Sequence, residues 1–172
     1  MERLHKMQTL SNLRRKSPNA LALSLLLVAI IIYEMLSTAF LFLPPLMGVI
    51  FTYLVEKRRQ AEKLLSGVAM PWFATFALLI FAEQLHGFVL FSSAISYLLF
   101  YNIFYEWVVI NFKARIIQLA IFNGAAYIST YSISNIVLYV LDRELLRYSV
   151  EYVYFIIAEC LLCLFIFKES KI

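Results

Sequence analysis

The chain has 172 residues, of which 63% are hydrophobic and 15% charged, and its net charge is +4. Soluble domains average about 45–50% apolar and about 25% charged residues, and a small domain has too much surface for its volume to hide a larger apolar share. An ordinary soluble fold is therefore excluded, lipid is the solvent for much of the chain, and the length suits one compact domain without a separate soluble module.

The basic residues stand in short clusters between apolar runs, not along one helix face. That distribution fits membrane topology and not a nucleic-acid footprint. Residues 1–19 form a basic tail, read as cytoplasmic, that is either disordered or laid on anionic lipid as a surface helix. The first apolar run is too long for the core of a signal peptide, and no small-residue cleavage site follows it, so it reads as a retained helix.

A membrane helix needs roughly 20 apolar residues to cross a hydrocarbon core of about 30 Å. The candidate runs are Ala20 to Leu36, Phe40 to Val55, Leu64 to Ala82, Phe88 to Ile110, Ile116 to Leu141 and Ser149 to Phe167. The expected fold class is all-α: a polytopic membrane bundle of about six transmembrane helices over 20–168, with 169–172 as a cytoplasmic end. The second run is short and opens with Pro44-Pro45, which suit the start of a helix better than its middle. Its helix is expected to begin near those prolines and to continue past Val55 into Glu56–Lys63, projecting into the cytoplasm.

Lys and Arg are retained on the cytoplasmic side of a membrane. With six spans, thirteen of the fifteen fall on one side, before the first span, at 57–63, at 113–115 and after the last, while Arg143 and Arg147 fall on the other. Both termini are thus expected inside. The outer connections, around Ser37–Ala39, Glu83–Gly87 and Asp142–Tyr148, leave no room for an extracytoplasmic domain. Tyr148, Tyr152 and Tyr154 near the outer boundary, and Tyr105 and Trp107 near the inner one, fit aromatic anchoring belts.

Three intramembrane carboxylates stand out. A charged side chain at mid-membrane costs about 2.5–3.5 kcal/mol on insertion scales, so such residues usually face protein or water. Glu34 lies toward the outer end of span one, Glu106 near the inner end of span four, and Glu159 roughly midway along span six. Each is either a proton or cation site, a polar contact with another membrane protein, or a hydrogen-bonded glutamate that fixes helix packing. Span five carries Asn123, Tyr127, Tyr131 and Asn135 at four-residue steps, which stack on one helix face. With Gly124, Ser129, Thr130, Ser132 and Ser134, they read as the packing face of a central helix or as one wall of a small polar pocket.

Cys160 and Cys163 share a helix face, but a metal site needs two further ligands and apolar burial disfavours a reactive thiolate. They read as small packing residues, and no cofactor or metal is expected. His86, beside Gly87, reads as a solvated turn histidine. The chain contains no Gly-rich phosphate loop, no H-E-x-x-H and no G-x-S-x-G.

The order of features resembles the bacterial rod-shape-determining MreD family. A basic tail precedes span one, the proline-led stretch Phe42-Leu43-Pro44-Pro45-Leu46-Met47 opens span two, and a basic turn leads to Ser66-Gly67-Val68. The part most like the family is Leu85-His86-Gly87 running into Phe88-Val89-Leu90-Phe91-Ser92-Ser93-Ala94-Ile95-Ser96-Tyr97-Leu98-Leu99. The chain departs from the family in having only four glycines, and in placing its acidic residue of span three, Glu83, at the outer end. The resemblance implies a scaffold of cell-wall elongation in the bacterial inner membrane. Its partners would be the bitopic protein MreC and, through it, wall synthases and the actin-like filament MreB. It carries over no catalytic residue.

The expected function is accordingly a non-enzymatic scaffold acting through helix–helix contacts with membrane partners. The alternative is a substrate-binding subunit similar to that of energy-coupling-factor vitamin importers. Against that alternative, small residues four apart in span one are limited to Ala20 and Ser24, and the outer turns are brief. A third class is an intramembrane enzyme acting on lipid, with Glu159 or Glu106 as acid or base.

Overall fold

The computed structural model describes residues 24–40, 43–63 and 70–167. The expectations for the N-terminal tail, the openings of spans one and three, and the C-terminal end lie outside the described residues. Within them the chain forms six helices and no strand. These are α1 (Ser24–Ala39), α2 (Met47–Lys63), α3 (Met70–Leu85), α4 (Ser92–Asn111), α5 (Arg115–Val140) and α6 (Glu151–Ile166). Of these, α4 and α5 are long and apolar enough to cross a membrane by length and composition.

The prolines act as expected. Neither Pro44 nor Pro45 can donate a backbone hydrogen bond, and α2 starts two residues later, then runs on to Lys63. Its first ten residues are mostly buried, and past Glu56 it becomes charged and largely exposed. Helices α2 and α5 form the centre: α2 packs on α3, α5 and α6, and α5 also packs on α4. The core between them is aromatic. Phe51 of α2 meets Tyr97 and Phe100 of α4 edge-on, each at 5.6 Å between ring centroids, and Phe100 meets Phe122 of α5 at 5.7 Å. Such arrangements add about 0.5–1.5 kcal/mol per pair beyond burial. Tyr105, expected at the membrane boundary, belongs to this core. It is buried and stacks on Tyr101 at 4.8 Å, because a π-helical turn over Phe100–Phe104 rotates it inward. Trp107 points outward.

The helix of the fourth run starts at Ser92, four residues later than the apolar run itself. Gly87, at φ 76°, turns the chain in the left-handed region that only glycine enters freely, and Phe91 is also left-handed at φ 69°. What holds the late start is Glu83 from α3, which is fully buried. Its carboxylate accepts the Ser92 N–H at 2.8 Å, the Ser93 N–H at 3.1 Å and the Ser92 hydroxyl at 3.1 Å, and it also contacts the Ser93 hydroxyl. The first N–H groups of a helix have no partner within it, and a carboxylate there is also favoured by the helix dipole.

Leaving a buried donor unsatisfied costs about 1–3 kcal/mol. Glu83→Ala removes the acceptor of the Ser93 N–H and of two hydroxyls, while the Ser92 N–H keeps the Val89 carbonyl at 3.0 Å, so thermal unfolding in detergent is expected to show a loss of about 2–3 kcal/mol. A variant that melts like the wild type would show that α4 does not depend on this cap.

Candidate functional site at the start of the second helix

The site is built where α2 begins. Glu159 is the ninth of the sixteen residues of α6, and Tyr127 is the thirteenth of the twenty-six of α5. Both touch the first turn of α2, so that helix starts near mid-height of the bundle. Five of the backbone groups there are met by side chains. The Leu46 N–H donates to Glu34 Oε1 at 3.0 Å, and the Val49 N–H donates to Glu159 Oε2 at 2.9 Å, with the Gly48 N–H also directed at that carboxylate. The Tyr33 hydroxyl donates to the Pro44 carbonyl at 3.0 Å, and the Tyr127 hydroxyl to the Pro45 carbonyl at 2.7 Å. Tyr127 is also in hydrogen-bond contact with Glu159 Oε1.

Glu34 and Glu159 are both 0% exposed. Two carboxylates from opposite helices thus hold one helix N-terminus, where backbone N–H groups and the helix dipole favour negative charge. Gly48 is what lets them close. A Cβ there would stand 2.6 Å from Glu159 Oε2 and collide with Asn123 Oδ1. Asn123 donates through Nδ2 to the Leu119 carbonyl at 3.2 Å and to Cys163 Sγ at 3.3 Å, while its Oδ1 has no donor.

Beside this point a vestibule of about 400 Å³ lies at one end of the bundle, lined in part by Ser37, Pro45, His86, Ser149, Glu151 and Tyr152. His86 is a correction to the sequence reading. Its side chain is only 16% exposed, with Nε2 3.2 Å from Glu34 Oε2 and 3.3 Å from Ser37 Oγ. It belongs to the network and is not simply solvated.

Of the residues singled out in the sequence, Glu34, Asn123, Tyr127 and Glu159 converge here. Tyr131 and Asn135 lie further along the same face of α5 and fasten the outer loop. The Tyr131 hydroxyl donates to the Leu146 carbonyl and Asn135 Oδ1 accepts the Leu146 N–H, both at 2.8 Å. Glu106 is exposed and stands apart. Cys163 is buried against Asn123, Cys160 is half-buried, and both are free thiols.

Sequence reasoning passed over Glu83 as a cap and Glu56 as an anchor. Glu56 is buried one turn beyond Thr52 and accepts Arg115 Nη1 at 3.0 Å, joining α2 to the first residue of α5 at the other end of the bundle. The signal was present in the four-residue step of Gly48, Thr52 and Glu56, which marks a single face of α2. Comparison of the chain with protein-family models, curated proteins and solved structures finds no match.

The geometry separates two glycines. Gly48→Ala forces its methyl into Asn123 and Glu159 and is expected to cost about 1–3 kcal/mol of stability, as overpacking does. Gly124→Ala, where a Cβ meets nothing within 4 Å, is expected to be neutral or to gain up to about 1 kcal/mol from helix propensity. Melting curves of the two variants side by side check this, and equal losses would contradict it.

Proposed function

We infer that the chain is an integral membrane protein, a six-span bundle with both termini in the cytoplasm, that works as a non-enzymatic scaffold. The observation that carries the membrane reading is an inversion of polarity. Glu34, Glu83, Glu159, Asn123 and Ser134 are fully buried, whereas Leu25, Ile110 and Phe165 are 70%, 73% and 79% exposed. Soluble monomers rarely expose contiguous apolar patches beyond a few hundred Å², and an apolar exterior around a hydrogen-bonded polar interior is what lipid demands.

The topology has support of its own. Ser37 and His86, from two expected outer connections, line one vestibule with Ser149, which directly follows the third, while the basic stretch of α2 meets Arg115 through Glu56 at the opposite end. Alternating spans call for such a grouping, and the concentration of Lys and Arg supports an inside position for the Glu56 end.

The scaffold reading is supported by how the buried polar groups are engaged. Glu34, Glu83 and Glu159 each hold the start of another helix, and Glu56 holds Arg115. On the outside, an almost wholly apolar groove of about 600 Å³ runs between α4 and α5, with Phe104 and Trp107 at its rim and Gly124, Ala125 and Ser132 among its lining residues. Small residues let another helix backbone approach closely in lipid. The resemblance noted in the sequence supplies the expected partners: an MreC-like bitopic protein and wall synthases in a bacterial inner membrane. The vestibule favours a second reading, a small-molecule-binding subunit of an energy-coupling-factor-like importer, since its volume lies within the range of ligand pockets.

Affinity purification from native membranes in mild detergent, followed by mass spectrometry, tests the choice. The scaffold reading expects an MreC-like protein and wall synthases. Gly124→Leu, which fills the groove, is expected to reduce their recovery several-fold while leaving the melting temperature unchanged. Recovery of ATPases with a coupling membrane subunit would transfer the protein to the importer class.

A further inference from the structure

The hydrogen bonds at the start of α2 contain one hydrogen too few. The Tyr127 oxygen stands 2.7 Å from the Pro45 carbonyl oxygen and in hydrogen-bond contact with Glu159 Oε1. A phenol has a single hydrogen, and a proline carbonyl has none to give. With Glu159 ionised, one of the two oxygen pairs would face each other with nothing between them, in a fully buried place. A hydrogen on Glu159 Oε1 completes both contacts: Glu159 donates to the Tyr127 oxygen, Tyr127 donates to the Pro45 carbonyl, and Oε2 still accepts the Val49 N–H.

Asn123 adds a second unpaired acceptor beside the first, one that a hydrogen on Glu159 Oε1 does not serve. Its Oδ1 is buried without a donor and packs on Gly48 beside Glu159 Oε2, while the bonds of Nδ2 to Leu119 and Cys163 fix the amide the other way round. Buried polar atoms without partners are rare enough that each calls for a hydrogen, a water or an ion. A metal ion does not fit this position. The Gly48 backbone already fills the space between the two oxygens, and no group of three or more His, Cys, Asp or Glu stands together among the described residues. A hydrogen needs no such space.

The geometry points to a proton-binding site at the start of α2, in which Glu159 holds an exchangeable hydrogen shared with Tyr127 and open to exchange through the outer vestibule. The vestibule has Pro45 itself in its wall, next to the carbonyl that Tyr127 engages. The titratable groups around the site are Tyr33 and Glu34 on α1, His86 in the α3–α4 turn, Tyr127 on α5, and Tyr152 and Cys163 on α6. Described α2 residues add none at this end. Glu34 stays with the Leu46 N–H and His86, so the two carboxylates have different jobs: one pairs with a histidine of the vestibule wall, and the other carries the hydrogen. The site stands independently of any partner, so it survives or fails apart from the scaffold reading.

Infrared spectroscopy of the purified full chain in lipid nanodiscs tests it. The wild type is expected to show the carbonyl band of a protonated carboxylic acid at neutral pH, shifted after transfer to D2O and lost in Glu159→Gln. An absent band, a band that ignores D2O, or a band that persists in Glu159→Gln would each overturn the proposal. Melting adds a second readout. Glutamine carries both a donor and an acceptor, so Glu159→Gln is expected to melt close to the wild type while Glu159→Ala melts well below it; equal losses would overturn the neutral-acid assignment. Should Glu159→Gln not fold, Tyr127→Phe removes the acceptor of the shared hydrogen, and the band must then move to higher frequency. A band that stays in place would count against the site.

Discussion

One constraint organises this protein: its second helix begins inside the bundle. Proline at 44 and 45 ends any regular hydrogen bonding before Leu46, so the extended segment and the first turn of α2 leave N–H and carbonyl groups unpaired at the depth of Glu159. In hydrocarbon such groups cost several kcal/mol each and are tolerated only where protein satisfies them. Glu34, Glu159, Tyr33 and Tyr127 do this, and they come from three helices far apart in sequence. The start of α2 is therefore the knot that fixes α1, α5 and α6 around it, and Gly48 is the one residue small enough to sit in the knot.

The rest is arranged around that start. Beside it lies the vestibule, where His86 stands against Glu34. Below it the same face of α2 continues through Thr52 to Glu56 and ends on Arg115, a mostly buried pair at the opposite end of the bundle. The same solution recurs at α4, where a glutamate from the preceding helix closes the first turn of the next. By contrast, the exposed pair of Arg58 and Glu62 at 3.3 Å is worth about 0–1 kcal/mol at most. Stability in this chain comes from carboxylates at helix starts, not from surface ion pairs.

The part of this that was legible in the sequence is the part set by composition and period. Apolar runs gave helices within a few residues of their observed ends for α4, α5 and α6, because a helix satisfies the backbone hydrogen bonds of an apolar stretch within itself. The proline pair located the start of α2, and the four-residue step of Asn123 and Tyr127 found a face that turned out to be central. What the sequence withheld depends on contacts between distant residues. Nothing near His86 announces Glu34, fifty-two positions earlier, and nothing near Glu83 announces that Ser92 and Ser93 will turn back to it. Tyr105 was misplaced because the π-helical turn before it shifts the register of α4, an event that average helical periodicity cannot express.

Buried carboxylates invite a catalytic reading, since an ionisable group taken out of water is costly unless it has work to do. Here the work is visible for each of them. Glu34 and Glu83 hold helix starts through backbone donors. Glu159 also holds a helix start, and its second oxygen contacts a fully engaged hydroxyl, that of Tyr127, which already donates to the Pro45 carbonyl at 2.7 Å. A purely structural glutamate needs no such arrangement, because two backbone donors and a tyrosine free to turn toward it would complete it. The Pro45 carbonyl that creates the surplus acceptor is left free by the same proline pair that starts α2. The feature that starts α2 is thus also the one on which the proton site proposed at Glu159 rests.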